Sequence, residues 1–358
     1  MDIVISIISG LLILFSLLPF IQHQHWIFRV PEFLKFQILV LQFFIIPAAF
    51  FFVSDHPWLW WLQVAQITLL GYHVFILMRY TKFWRTPQKG GSKQDSGSIK
   101  LISCNIYQHN REYDRFIQLI QDEQPDIFIT MESNSDWEKA MRILEKDYPN
   151  QMKVTLENTY GMHFYTKLKV LDIKTHYFVA DDLPSIEAEL ETPDGQRFVF
   201  FGVHPPPPSP TEEENSKERD GDLLCVAKRV RKSTLPVIVA GDFNNVAWAN
   251  ASILFRKTSE LLDARIGRGI LSTFHAKYWL FRIPLDLLFH SPDIFINKLF
   301  IYPAIGSDHF PVGCTFHIDT QSDVQEGEVK KLEHGEMEEV DDRIREGKAE
   351  KSDNRDNT

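Results

Sequence analysis

VIVAGDFNN, residues 237–245, fixes the class of fold. Val237, Ile238, Val239 and Ala240 form an apolar run, mostly β-branched, of a length that suits a buried strand. Gly241 then frees the backbone, and Asp242, Asn244 and Asn245 follow as oxygen-bearing side chains. Taken singly, Asp and Asn here are ordinary turn formers. At the end of a buried strand they are held by a rigid sheet and can be presented with precision.

The same arrangement recurs on both sides of that stretch. SCNIYQHN (103–110), IFITMES (127–133) and FFGVHPPPPSP (200–210) lie upstream, and RIPLDLLF (282–289) and GSDHFPV (306–312) lie downstream. Most of these open on an apolar run, and together they supply Asn105, Glu132, His204, Asp286, Asp308 and His309. Carboxylates and amides are the oxygen donors that a hard cation such as Mg²⁺ prefers. Histidines supply acid, base or hydrogen-bond help near a phosphate. Between the runs, Tyr113, Phe116, Ile117 and Ile120 repeat at helical spacing, as do Leu223, Ala227 and Val230. The expectation is alternating strands and helices with the polar residues at one edge.

Further upstream the texture changes. Three apolar stretches run from Ile3 to about Phe20, from about Phe36 to Val53, and from about Trp58 to Met78. Each approaches the roughly 20 residues that a helix needs to cross a bilayer. The first lacks the basic start and small-residue cleavage site of a secretory signal. Trp26, Trp58, Trp60 and Trp61 stand at the expected ends, where an interfacial aromatic belt would place them. Residues 1–84 are therefore expected to form a three-helix transmembrane anchor, with His23 and His25 as solvated side chains of its first loop. Residues 85–98, RTPQKGGSKQDSGS, read as a flexible linker.

At the other end, residues 319–358 carry 14 acidic and 7 basic side chains and almost no aromatics. They are expected to form an acidic disordered tail. Most of the net charge of −10 lies there, so the average says little about the folded part. The charge disfavours a general affinity for nucleic acid backbones. Cys104, Cys225 and Cys314 fit neither zinc-ligand nor disulfide spacing, and they read as buried thiols.

The order Asn105, Glu132, His204, GDFN (241–244), Asp286 and SDH-x-P (307–311) resembles the endonuclease/exonuclease/phosphatase superfamily. The resemblance covers residues 99–318 as a catalytic domain. It implies a four-layer α/β sandwich of two mixed sheets flanked by helices, here preceded by three transmembrane helices. It implies a Mg²⁺ or Mn²⁺ cofactor with Glu132 as main ligand, Asp308 near the metal, and Asn105 supporting it. By the same resemblance Asp242 and Asn244 orient the attacking water and contact the phosphate. His309 acts on the scissile group, Asp286 fixes the His309 ring, and His204 stands on the opposite side. Abasic-site endonucleases of this superfamily have an aspartate two residues after the first asparagine. Tyr107 stands there instead, which argues against that activity and against a two-metal site. Asn110 and Trp248 also match bacterial members, without an assigned chemistry. Pro205–Pro208 read as a stiff segment holding His204.

The implied function is metal-dependent hydrolysis of a phosphate ester or pyrophosphate at a membrane, by in-line attack of an activated water. A lipid-linked phosphate is favoured as substrate, because a tether raises effective concentration at the bilayer. The alternatives are a membrane-tethered nuclease and an inert binding module. The chain also resembles a bacterial branch, of vancomycin- and teicoplanin-resistance type, with three membrane helices ahead of this domain. That implies an integral protein of the bacterial inner membrane. Arg29, Lys35, Arg79, Lys82, Arg85, Lys89 and Lys93 crowd one side of the expected spans. The positive-inside rule then puts the catalytic domain in the cytoplasm, whereas the branch resemblance points outward.

Overall fold

The computed structural model describes residues 2–52, 57–85 and 97–351. Four helices come first: α1 (Asp2–Leu17), α2 (Trp26–Phe33), α3 (Lys35–Phe52) and α4 (Pro57–Met78). α1 and α4 contain the two helices that are long and apolar enough to cross a membrane. The second expected span takes a different form. α2 and α3 meet at a bend of 67° and count as a third candidate only if the pair is one span. The region read as a loop is thus largely α2, opened by His25, whose ring accepts from the Ile27 N–H. Residue 53 at the end of the second expected span, residues 54–56 of the loop after it, and residues 86–96 of the expected linker lie outside the described residues.

The strands follow in chain order as β1 (Ile99–Asn105), β2 (Ile127–Met131), β3 (Asn150–Val154), β4 (Met162–Thr166), β5 (Lys169–Tyr177) and β6 (Pro184–Glu191). After them come β7 (Arg197–Val203), β8 (Val237–Asp242), β9 (Leu262–Asp263), β10 (Asp286–His290), β11 (Ile294–Ile301) and β12 (Val312–Ile318). They form two six-stranded sheets, β11-β12-β1-β2-β4-β3 and β5-β6-β7-β8-β10-β9. Each contains one parallel pair, β1 with β2 and β7 with β8, so both sheets are mixed.

Side chains alternate across each strand, and that alternation builds the layers. Ile129 and Met131 of β2 and Ile238 and Ala240 of β8 point into the core between the sheets, with Phe164, Phe200 and Phe316. Phe128 of β2 points the other way. It packs with Phe116 and Ile120 of α5 (Tyr113–Glu123) and Trp137 of α6 (Ser135–Met141). Val237 and Val239 of β8 meet Leu223 and Val226 of α7 (Lys217–Val230) and Phe255 of α8 (Asn250–Ser259). Central strands covered on both faces read as continuous apolar runs, which is why VIVA and IFITM do not alternate in polarity. The result is the expected four-layer α/β sandwich. The three cysteines are buried and free.

The tail departs from expectation. Residues 336–349 form α9 (Glu336–Ala349), packed along α7. Few apolar side chains are needed, because α9 covers an existing patch: Val340 is fully buried with Leu224 and Leu254, and Leu332 and Ile344 join them. Some of its charges meet partners on the sandwich. Arg343 lies 3.1 Å from Asp220, and Lys257 holds Glu333 and Glu336 at 2.9 and 2.7 Å. The backbones approach closely at Gly347 and Gly221, where a Cβ on Gly347 would stand 3.0 Å from the Gly221 Cα. Composition suggests disorder here because it records the charges but not their partners.

The N-terminal helices pack together and also onto the sandwich. The Trp248 indole N–H donates to the Glu32 carbonyl at 2.7 Å, and Tyr80 stacks edgewise on the same indole. Next to α2, the Trp26 N–H donates to Glu214 and the Ser216 N–H to Gln24, forming a short bridge at His25 and Asn215.

Candidate active site

Strand register brings the polar residues to one edge. Asn105 ends β1 opposite Met131, so Glu132 emerges beside it. Asp242 ends β8 directly opposite Asp286, the first residue of β10. Val203 of β7 pairs with Gly241, so His204 emerges beside Asp242. Gly241 has φ +155, and a Cβ there would meet the Val203 carbonyl at 2.0 Å. Only glycine permits this approach. Glu132 and Asn244 have φ of +60 and +46 without being glycine, the kind of backbone strain that clusters at functional sites.

The side chains converge between the two sheets. The Asn105 amide donates to Glu132 Oε1 at 2.9 Å and to Asp242 Oδ2 at 3.1 Å, joining one sheet to the other. His309 Nδ1 lies 2.8 Å from Asp286 Oδ2, and its Nε2 lies 3.5 Å from Asp242 Oδ2. His204 Nε2 approaches the same Asp242 oxygen at 4.0 Å. The Asn244 amide donates to the Pro205 carbonyl at 3.0 Å, so the proline segment after His204 is tied to the β8 turn. Asp308 lines the same cleft, whose volume is about 530 Å³. Every expected site residue except Asp286 lines that cleft, and Asp286 stands behind His309.

The two histidines have opposite protonation. Burial opposes charge on His309, but Asp286 and Asp242 outweigh it and raise the ring to about 10. The ring is an imidazolium at neutral pH. Burial dominates at His204 and lowers it to about 4, so that ring is neutral. Burial also raises Asp242, with His309 opposing. Groups driven apart in this way divide the acid and base work of a site.

Asp242, Asp286 and His309 form a buried cluster with ligand atoms within 4.8 Å of one another. The imidazolium already lies between those carboxylates and supplies their positive charge. The oxygen donors with room for a cation are Glu132 and Asp308. Burial raises Glu132 to about 7, against hydrogen bonds from the Gln108 N–H and Asn105. Among the described residues it has no Lys or Arg partner. A desolvated carboxylate with no Lys or Arg bonded to it, next to a second carboxylate, fits a hard divalent cation. Asn105 turns its amide nitrogen toward Glu132 and accepts from the Tyr107 N–H with its oxygen. It thereby holds Glu132 to Asp242 across the two sheets.

Residues 102–309 match the model of the endonuclease/exonuclease/phosphatase family. The chain belongs to that family. No curated protein matches it by sequence. Solved structures of D. rerio TDP2 complexed with single-strand DNA product share its fold at TM-score 0.53 and 16% identity. That match covers 62% of this chain and 100% of TDP2. An endonuclease/exonuclease/phosphatase protein from Bacteroides vulgatus gives TM-score 0.52 and 19% identity over 63% of this chain and 100% of its own. The human Nocturnin catalytic domain with bound sulfate gives 0.51 and 18% over 63% and 96%. At these identities the likeness is one of fold. Membership in the family brings phosphoester hydrolysis as the general chemistry.

Further residues shape the site, and two of them, Arg219 and Phe33, carry no sequence signal. Arg219, almost wholly buried, donates to the Asn244 carbonyl at 3.0 Å and pairs with Asp220. Ser307 Oγ donates to the Asn105 carbonyl at 2.8 Å and accepts from the His309 N–H at 3.0 Å. Phe33, from the anchor, lines the cleft. Asn110 staples the carbonyls of Ile106 and Ile305 at 3.2 and 3.1 Å, and Trp248 seats the anchor. Both are structural.

Proposed function

We propose that this chain hydrolyses a phosphate ester or pyrophosphate at a membrane, with a Mg²⁺ or Mn²⁺ ion held by Glu132 and Asp308. The observation that carries the reading is the buried imidazolium of His309, set between Asp286 and Asp242 in the cleft that also holds Glu132. A bound cation would neutralise charge on the phosphate oxygens. Asp242, raised by burial, takes a proton as water oxygen attacks phosphorus. The bond from phosphorus to the leaving oxygen breaks, and that oxygen takes the proton of His309. Asn244 and neutral His204 hold the phosphate by hydrogen bonds, and Asp286 fixes the His309 ring.

Two features support a membrane substrate over nucleic acid. The anchor contributes Phe33 to the cleft wall. Among the described residues no Lys or Arg lines the cleft, whereas polynucleotide affinity is carried by cations along the backbone.

Full-length protein in detergent, assayed for phosphate release from polyprenyl diphosphate, phospholipids, inositol phosphates and nucleic acids, tests the reading. Turnover of a lipid-linked phosphate that EDTA abolishes and added Mg²⁺ or Mn²⁺ restores is expected. Undiminished turnover in EDTA would remove the metal, and exclusive cleavage of nucleic acid would favour a tethered nuclease.

A further inference from the structure

The wall of the catalytic cleft is apolar on one side, where Phe33, Phe274, Ile283 and Leu285 lie. Phe33 ends α2 of the anchor, and the other three flank residues 278–281. There Tyr278, Trp279, Leu280 and Phe281 are 62%, 74%, 57% and 59% exposed. A run of four exposed large apolar side chains is a fault in a water-facing surface unless it serves a function.

The position of the run points to its occupant. Gln37, in the first turn of α3, donates to the carbonyls of Leu280 at 3.3 Å and Arg282 at 3.1 Å. The turn is thereby tied to the start of a helix of the candidate anchor. Phe36, beside Gln37, is also exposed. Lys277 and Arg282 flank the run, with their cations over the rings of Tyr107 and Phe310. Aromatic side chains bordered by cations suit the headgroup layer of a bilayer.

We propose that residues 278–281 insert into the interfacial layer of the same bilayer as the anchor, and that a membrane-embedded phosphate ester or pyrophosphate enters the cleft from that leaflet. Its apolar chain lies along Phe33, Phe274, Ile283 and Leu285, and its phosphate reaches His309. The proposal rests on the membrane reading given above. It removes the need to draw an apolar chain through water, which is unfavourable for every methylene exposed.

A fluorophore sensitive to its surroundings, attached to Leu280→Cys of the full-length protein in lipid nanodiscs, tests the insertion. The native cysteines are buried and leave the new thiol selective. Lys174→Cys, on β5 and about half exposed, is the control. Blue-shifted emission at 280, quenched by nitroxide-bearing lipid, with water-like emission at 174, is expected. Water-like emission at 280 overturns insertion. Emission that follows protein concentration instead of lipid assigns the turn to a second copy of the chain and also overturns it. For the entry route, Trp279→Ser with Phe281→Ser should cut turnover of a lipid-linked phosphate in nanodiscs about tenfold, relative to the same variant's turnover of a short-chain water-soluble phosphoester. Equal effects on both substrates overturn the route. If no phosphoester of either kind is cleaved, the hydrolase reading falls with the entry route, and the quenching result still decides insertion.

Discussion

His309 holds its proton because two buried carboxylates face it from opposite sides, Asp286 at Nδ1 and Asp242 at Nε2. If that proton goes to the leaving oxygen, His309→Ala lowers turnover by about 10²–10⁴-fold. Asp286→Asn keeps the ring but removes a charge, and costs less, about 10–100-fold. The pH profile separates the two effects. The folded-state pKa of His309 is raised, to about 10. The stability its proton contributes is full below the unfolded value of about 6.5 and lost as pH rises through about 10, where the native ring gives up its proton. The alkaline limb of the rate should therefore fall near pH 10 in the native protein and at clearly lower pH in Asp286→Asn. An unmoved limb would take the proton-donor role away from His309. Arg219 acts through the Asn244 carbonyl. Arg219→Gln should lower turnover more than it raises KM for substrate, since the strained turn at Asn244 loses its outer support while the cleft walls stay. Steady-state kinetics on a lipid-linked phosphate measures that split.

At the scale of elements, most of the fold was legible because buried strands announce themselves. VIVA and IFITM are apolar on both faces, and each is followed by the residue that enters the cleft. The motif residues could thus be named from order alone. Arg219 and Phe33 could not, because each acts across a tertiary contact and its sequence neighbours carry no pattern. α2 and α9 were missed for a related reason. α9 pairs Arg343 with Asp220 of the sandwich, and α2 buries its own Arg29 beside its own Glu32, so in both helices charged side chains lie on the buried face. A chain ending at Asp319 loses α9, uncovers Leu224 and Leu254, and takes Arg343 away from buried Asp220. Arg343→Ala breaks one partner of that buried group and should cost about 3 kcal/mol. Thermal melts in detergent read both changes. An unchanged midpoint in Arg343→Ala would mean that α9 contributes no stability to the sandwich.

The whole molecule joins a candidate three-helix anchor to a cleft through direct contacts, so which side of a membrane the sandwich faces decides what it meets. Crossings by α1, α3 and α4 would place the Asp2 end of α1 and the sandwich on opposite sides. α2 docks on the sandwich through Glu32 and Trp248, so Arg29 and Lys35 belong to the sandwich side together with Arg79, Lys82 and Arg85. The described N-terminal end, from Asp2 into α1, carries no Lys or Arg. Some of this charge is already used, since Arg29 and Lys35 are buried. Among the described residues the exposed share comes from Lys82 and Arg85. The positive-inside rule counts residues during insertion, before any of them is buried, so the full set applies. We expect a cytoplasmic sandwich. A fluorescent protein that matures only in the cytoplasm, fused after Thr358, should glow, and an alkaline phosphatase fused there should stay inactive. The reverse pattern would place the cleft outside, with a lipid phosphate of the outer leaflet as its substrate. The contacts of residues 278–281 with α3 would be unchanged, because that turn follows the sandwich to whichever leaflet it faces.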